Sequence, residues 1–136
     1  MTPTLSSSRA SVLLAHGSSD AQWLAPFSQL LNGIRDGLDA GTRVELAYME
    51  LAEPSLTGQV RALAHAGYQH IDVLPLFFAA GRHLRHDVPR MLKELQDTLA
   101  QEGVPVRIEL HSPVGLEPEV ADAISRVVIR QVSQAD

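Results

Sequence analysis

The sequence contains no cysteine and few aromatic residues, which make up 4% of its 136 positions. Without a thiol, a cysteine nucleophile, a Cys-ligated iron–sulfur cluster and a zinc ribbon are all excluded. No apolar run approaches the ~20 residues of a membrane-spanning helix, and the polar first residues are not typical of a targeting signal. These absences predict a cytoplasmic protein with no membrane partner.

The glycine-rich motifs that hold nucleotides are also missing. The chain has neither G-x-x-x-x-G-K-[ST] nor G-x-G-x-x-G, so we expect no nucleotide cofactor. The G-x-S-x-G nucleophile elbow is absent as well, which argues against Ser18 as an acyl-transfer serine. The charge balance of 11 Lys+Arg against 16 Asp+Glu gives −5 with neutral histidines. A net-negative chain without a basic block predicts no nucleic-acid partner.

Short apolar runs alternate with longer stretches in which apolar residues recur at helical spacing. The four runs are Val12–Ala15, Val44–Met49, Ile71–Phe77 and Val106–Leu110. Such alternation predicts an α/β fold with a parallel sheet and helices on both faces. The length allows a single domain over residues 1–136. Right-handed crossovers make 2-1-3-4 the simplest doubly wound strand order.

Ligands of doubly wound sheets bind outside the carboxyl ends of the strands, so the loops there are the candidate site. His16 follows the first run, Glu50 follows the second and His83 lies in the loop after the third. They are separated by 34 and 33 residues, one strand–helix period each. We therefore expect them side by side, where two imidazoles and a carboxylate suit a first-row divalent ion. Three protein ligands leave coordination positions open for a substrate.

Each of these residues, taken alone, also fits a solvated loop position. The remaining histidines are weaker candidates: His65 and His70 are predicted at the surface, and the roles of His86 and His111 stay open. Asp87 and Pro89 are typical of a helix start. They therefore predict that the third helix begins only after His86, with His83 in a loop.

Three segments together resemble the sirohydrochlorin chelatase family. They are L-L-A-H-G-S at 13–18, M-E-L-A-E-P-S-L at 49–56, and P-L-F followed by G-x-H-x-x-x-D-V-P between 75 and 89. The resemblance runs from about Ser11 to Val132. Members are small class II chelatases that insert Co²⁺, Fe²⁺ or sometimes Ni²⁺ into a tetrapyrrole for cobalamin, siroheme or related cofactors.

The resemblance implies a chelatase-like α/β domain in which His16 and His83 bind metal and Glu50 is their acidic partner. The metal is a substrate, and the second substrate is sirohydrochlorin or a related tetrapyrrole. Longer relatives hold the macrocycle between two such domains, so this short form is expected to build the cleft as a homodimer.

Substrate carboxylates are expected to meet Ser18, Ser19, Arg82 and Arg85, because arginine binds carboxylates through paired hydrogen bonds. Many members have arginine where this chain has Ser19, and a small residue where it has Arg82. These departures keep an alternative open, a metal or tetrapyrrole carrier without turnover. His16-Gly17 also occurs in histidine phosphatases, but that chemistry normally has arginine immediately before the histidine.

Overall fold

A four-stranded parallel sheet forms the centre of this computed structural model, which describes residues 8–134 except the side chain of His83. The strands are β1 (Arg9–Ala15), β2 (Arg43–Tyr48), β3 (His70–Pro75) and β4 (Arg107–Leu110). The helices are α1 (Ala21–Asp36), α2 (Leu56–His65), α3 (Val88–Gln101) and α4 (Pro118–Ser133). The strand order is β2-β1-β3-β4 with every pair parallel, which confirms the predicted α/β fold and its order.

Alternation along the strands divides the core into two layers. On one face, Val12 and Leu14 pack with buried residues of α2 and α3, including Leu63. On the opposite face, Leu13 and Ala15 pack against partly buried residues of α1. Successive strand residues point to opposite faces, so one seven-residue strand supports both layers.

The two layers differ in how well their helices are covered. Buried residues occur in α2 and α3, whereas no residue of α1 or α4 is buried. In α4 the side chains of Val128, Ile129 and Val132 are 52%, 63% and 68% exposed. A large apolar surface therefore remains open on the α1/α4 side. None of the helices within residues 8–134 has both the length and the apolar character needed to cross a membrane.

Two predicted boundaries are corrected by the structure. Strand β3 ends at Pro75 rather than Phe77. Proline lacks the N–H that an internal strand needs, so regular pairing stops there. The α-helix α3 begins at Val88, after His86, as predicted, but His83–Asp87 is a π-helical turn that runs directly into it, so the prediction of a loop at His83 is wrong. Leu84 and Val88 are both buried and lie one helical turn apart, which favours helix over an open loop.

The core predicts a large stability difference between two leucines. Leu63 is 1% exposed, whereas Leu38, just beyond α1, is 40% exposed. We expect Leu63→Ala to lower the free energy of unfolding by about 2–5 kcal/mol, because it removes buried methyl groups and leaves a cavity. Leu38→Ala should change it by about 0.5 kcal/mol or less. Urea denaturation measures both free energies of unfolding, and equal losses in the two variants would contradict the burial of Leu63 in the core.

Candidate active site

The ends of β1 and β2 bring His16 and Glu50 side by side. His16 directly follows Ala15, and its carbonyl oxygen accepts a hydrogen bond of 3.1 Å from the N–H of Glu50. The carbonyl of Ala15 accepts from Met49 N–H at 2.9 Å, so parallel pairing continues past the strand ends. Both candidate side chains are exposed at this edge. The juxtaposition predicted from their spacing is thus present in the backbone.

Gly17 makes this close approach possible. Its φ is +95°, a conformation that side-chain-bearing residues rarely adopt. A Cβ at this position would lie 1.8 Å from the carbonyl oxygen of Glu50, well inside van der Waals contact. The glycine after His16 therefore lets the loop that follows β1 pass directly over the backbone that follows β2.

The end of β3 contributes an aromatic contact to His16. The rings of His16 and Phe77 are stacked with their centroids 4.5 Å apart and their planes 27° from parallel. Both rings border a cavity of about 490 Å³ at this edge of the sheet. Its wall is otherwise mostly apolar and consists of Trp23, Phe27, Met49, Leu76, Phe78, Ala79, Gly81 and Leu84. Such a wall favours an apolar ligand oriented by a few polar groups.

The loop after β3 carries the third predicted ligand. The backbone of His83 begins the π-helical turn, close in sequence to Gly81 and Leu84 of the cavity wall. Its side chain lies outside the described part of the structure, so its role as a ligand remains a prediction. Arg82 and Arg85, on either side of it in sequence, are exposed.

The loop between β1 and α1 holds the two predicted serines. The hydroxyl of Ser18 accepts a hydrogen bond of 3.0 Å from the N–H of Asp20. Asp20 in turn caps α1 by accepting 2.9 Å from Gln22 N–H. A hydroxyl that accepts one hydrogen bond still carries a proton to donate. Ser18 is half-buried and Ser19 is exposed.

Sequence reasoning missed the aromatic part of the site. Phe77 and Phe78 are two of only three phenylalanines in the chain; Phe77 ends the third apolar run and Phe78 directly follows it, which was a usable signal. Gly115 was also missed: its N–H donates 2.9 Å to Phe77 O, and a Cβ there would lie 2.3 Å from Phe78 Cα. The loop after β4 thus packs on the aromatic pair.

The other histidines are not brought to the cavity. His65 and His86 are exposed. His70, predicted at the surface, is half-buried and lies 3.3 Å from Asp72. The Nε2 atom of His111 lies 2.8 Å from Asp72 Oδ1, on a face of the sheet rather than at the cavity.

Comparisons with known proteins agree with the fold. The CbiX family model matches residues 10–131. A sirohydrochlorin cobaltochelatase of Sulfurisphaera tokodaii is 32% identical over 86% of this chain and 88% of its own. A sirohydrochlorin ferrochelatase of Bacillus subtilis is 27% identical over 85% of this chain, which spans 42% of that longer protein.

A solved structure gives the corresponding match in three dimensions. It is a CbiX protein from Marinobacter aquaeolei VT8 assigned to cobalamin (vitamin B12) biosynthesis. The TM-score is 0.77 with 41% identity, over 93% of this chain and 99% of that one. The similarity therefore covers nearly the whole of both chains.

The contact at Gly17 predicts that this position tolerates no side chain. Gly17→Ala combines an unfavourable φ with a collision against Glu50, and we expect it to lower the free energy of unfolding by about 2–4 kcal/mol. Gly67→Ala is the matched control, since Gly67 has φ +105° and an added Cβ there would meet nothing within 4 Å. Gly67→Ala should lower the free energy of unfolding by about 1 kcal/mol, because it has the unfavourable φ without a collision. Urea denaturation compares them, and a loss at Gly17 no larger than at Gly67 would refute the collision.

Proposed function

We propose that this chain, which belongs to the CbiX family, inserts a divalent metal ion into sirohydrochlorin or a related tetrapyrrole. The relatives named above are a cobaltochelatase and a ferrochelatase acting on sirohydrochlorin. The observation that carries the proposal is the His16 imidazole stacked on Phe77 in the wall of an apolar cavity of about 490 Å³. It joins a metal ligand to a surface suited to a macrocycle.

Metal insertion requires two changes at once. Two pyrrole N–H protons leave the macrocycle, and the ion loses its water ligands as the ring nitrogens replace them. We assign His16 and His83 as the ligands that hold the incoming ion, whether Co²⁺, Fe²⁺ or Ni²⁺. Imidazole nitrogen is a suitable donor for all three, and so small a ligand set leaves coordination positions open.

Glu50 is assigned to accept the leaving protons or to complete the coordination of the ion. Its backbone is hydrogen-bonded to that of His16, so the carboxylate starts from a position beside the metal ligand. Its side chain is exposed, which lets a proton taken from the ring pass on to solvent. The products are the metallated macrocycle and two protons, and no nucleotide takes part.

The rim of the cavity is assigned to the substrate carboxylates. Arg82 and Arg85 are exposed on either side of His83 in sequence. Guanidinium groups bind carboxylates through paired hydrogen bonds, which suits the acetate and propionate groups of a tetrapyrrole. Ser18 and Ser19 lie in the loop ahead of α1, where a helix N-terminus adds a favourable partial charge.

A homodimer is the second part of the proposal. A groove of about 260 Å³ beside the cavity includes Val120 in the first turn of α4, the helix whose later residues expose further apolar side chains. This groove shares Phe77 and Phe78 with the larger cavity. Covering the apolar surface with a second copy would enclose the open side of the cavity, as the cleft of a two-domain chelatase requires. Contiguous exposed apolar surface of this kind is typical of an interaction site.

The assigned ligands predict a loss of metal insertion. We expect His16→Ala and His83→Ala each to slow metallation of sirohydrochlorin by more than about 100-fold. Loss of a residue that only hydrogen-bonds to a metal ligand already lowers metal affinity or activity by about 10–100-fold. The measurement is the absorption change of sirohydrochlorin with Co²⁺, Fe²⁺ or Ni²⁺ under anaerobic conditions, relative to a protein-free control.

His65→Ala, an exposed histidine on α2, is the matched control and should keep the wild-type rate. Unchanged rates in both ligand variants would reject the site. Absence of acceleration by the wild-type protein with any of the three ions would reject the activity itself.

The dimer proposal predicts that charge on the apolar surface of α4 separates the subunits. We expect Val128→Asp/Val132→Asp to shift sedimentation from dimer to monomer and to lower metallation strongly. Burying a carboxylate without a partner is costly, whereas an exposed one is tolerated. Arg126→Asp on the same helix lowers the net charge by the same two units but lies on the charged face with Asp122 and Arg130, so it should leave the dimer intact. A wild-type monomer that metallates sirohydrochlorin would refute this part.

A further inference from the structure

A second group of potential metal ligands lies on one face of the sheet. The strand register places Asp72 of β3 opposite Glu109 of β4 and opposite Ser11 of β1. Residues two apart in a strand share a face, so His70 lies on the same side as Asp72. His111 follows β4 on the side of Glu109, and its N–H continues the pairing to Val73 O. Two imidazoles and two carboxylates thus converge at the β3–β4 pair.

The distances within this cluster are short. One ligand atom each from His70, Asp72 and Glu109 lie within 4.8 Å of one another. The Nε2 atom of His70 is 3.3 Å from Asp72 Oδ1 and 3.6 Å from Glu109 Oε2. The Nε2 atom of His111 is 2.8 Å from Asp72 Oδ1 and 3.9 Å from Glu109 Oε2.

These separations suit a four-coordinate ion. Ligand atoms placed tetrahedrally at about 2.0–2.1 Å from a metal are about 3.3–3.4 Å apart. The four imidazole–carboxylate separations, from 2.8 to 3.9 Å, lie on both sides of that value. The ligand atoms of His70, Asp72 and Glu109 all lie within 4.8 Å of one another, and His111 lies near both carboxylates, so these pairs are close to coordination distances.

Asp72 is held in the orientation that a ligand needs. Its Oδ2 accepts 2.9 Å from Arg9 Nε, and its Oδ1 accepts 3.4 Å from Arg9 Nη2 and faces the two histidines. Hydrogen bonding of the second oxygen is a usual support for a carboxylate ligand.

The cluster is open to an incoming ion and separate from the candidate active site. The side chains of Glu109 and His111 are 45% and 39% exposed, while that of Asp72 is 9% exposed at the base. Asp72 is level with Ser11, and His16 comes five residues later along the same strand direction. At ~3.3 Å per residue, about 16 Å separate the two places. A single ion cannot serve both.

We propose that His70, Asp72, Glu109 and His111 form a second site for a first-row divalent ion, such as Co²⁺ or Zn²⁺. This ion remains bound and links the edge strand β4 to β3. Two neutral imidazoles with two carboxylates are a donor set that such ions prefer over Ca²⁺ or Mg²⁺.

The experiment isolates this second site by removing His16 and His83, the proposed metal ligands of the candidate active site. Metal-free His16→Ala/His83→Ala protein is titrated with CoCl₂ by equilibrium dialysis and visible absorption. We expect one Co²⁺ per chain with the intense d–d bands of four-coordinate cobalt. The bound ion should also raise the melting temperature, since a ligand that binds only the folded state stabilises it.

Adding His70→Ala/His111→Ala in this background should abolish the absorption band and weaken Co²⁺ binding by at least about tenfold. His65→Ala in the same background is the control and should change neither. Glu109→Gln provides a second variant that leaves the Arg9–Asp72 pair intact, with Glu94→Gln on α3 as its control. It should weaken Co²⁺ binding by at least about tenfold as well.

Failure of this proposal is distinguishable from failure of the proposed function. No Co²⁺ bound to the His16→Ala/His83→Ala protein would overturn the second site, as would Co²⁺ binding unaffected by Glu109→Gln. Neither result bears on metallation by the wild-type chain. Conversely, a chain that does not metallate sirohydrochlorin can still bind one Co²⁺ at this cluster.

Discussion

The contact between Gly17 and the carbonyl of Glu50 is the constraint on which the candidate site depends. A Cβ at Gly17 would lie 1.8 Å from that oxygen, so the two loops can meet only because residue 17 has no side chain. The close approach allows the hydrogen bond from Glu50 N–H to His16 O, which holds the two backbones together. The proposed ligand and its acidic neighbour are therefore placed mainly by backbone geometry, which is less mobile than a network of side chains.

The sequence was sufficient to predict the strand order and the position of the site loops. In a chain of this length, dense apolar runs that alternate with stretches of helical spacing fit few folds other than a parallel α/β sheet. His16 and Glu50 fall directly at the ends of such runs. The π-helical turn at His83–Asp87 was not predictable in the same way. The signals of Asp87 and Pro89 mark the start of α3 at Val88, whereas the turn ahead of it is favoured by the burial of Leu84, which depends on residues distant in sequence.

The cluster around Asp72 shows the same limit. His70 and Glu109 are 39 positions apart in a sequence with no motif to connect them. Only the parallel register of β3 and β4 brings them within contact of one carboxylate. The expectation that His70 is a surface residue failed because its environment comes from a neighbouring strand and not from its own segment. Resemblance to a family indicates the shared site, whereas side chains outside the shared motifs have to be located in three dimensions.

The stacking of His16 on Phe77 has a consequence for the kinetics of metal handling. A ring held against an aromatic neighbour has lost much of its rotational freedom before the ion arrives, so binding the ion costs little further ordering. Preorganisation of this kind allows few ligands to capture an ion rapidly. The same small number of bonds lets the ion depart rapidly once ring nitrogens compete for it. A chelatase requires both properties, because tight retention of its metal would turn a delivery site into a storage site.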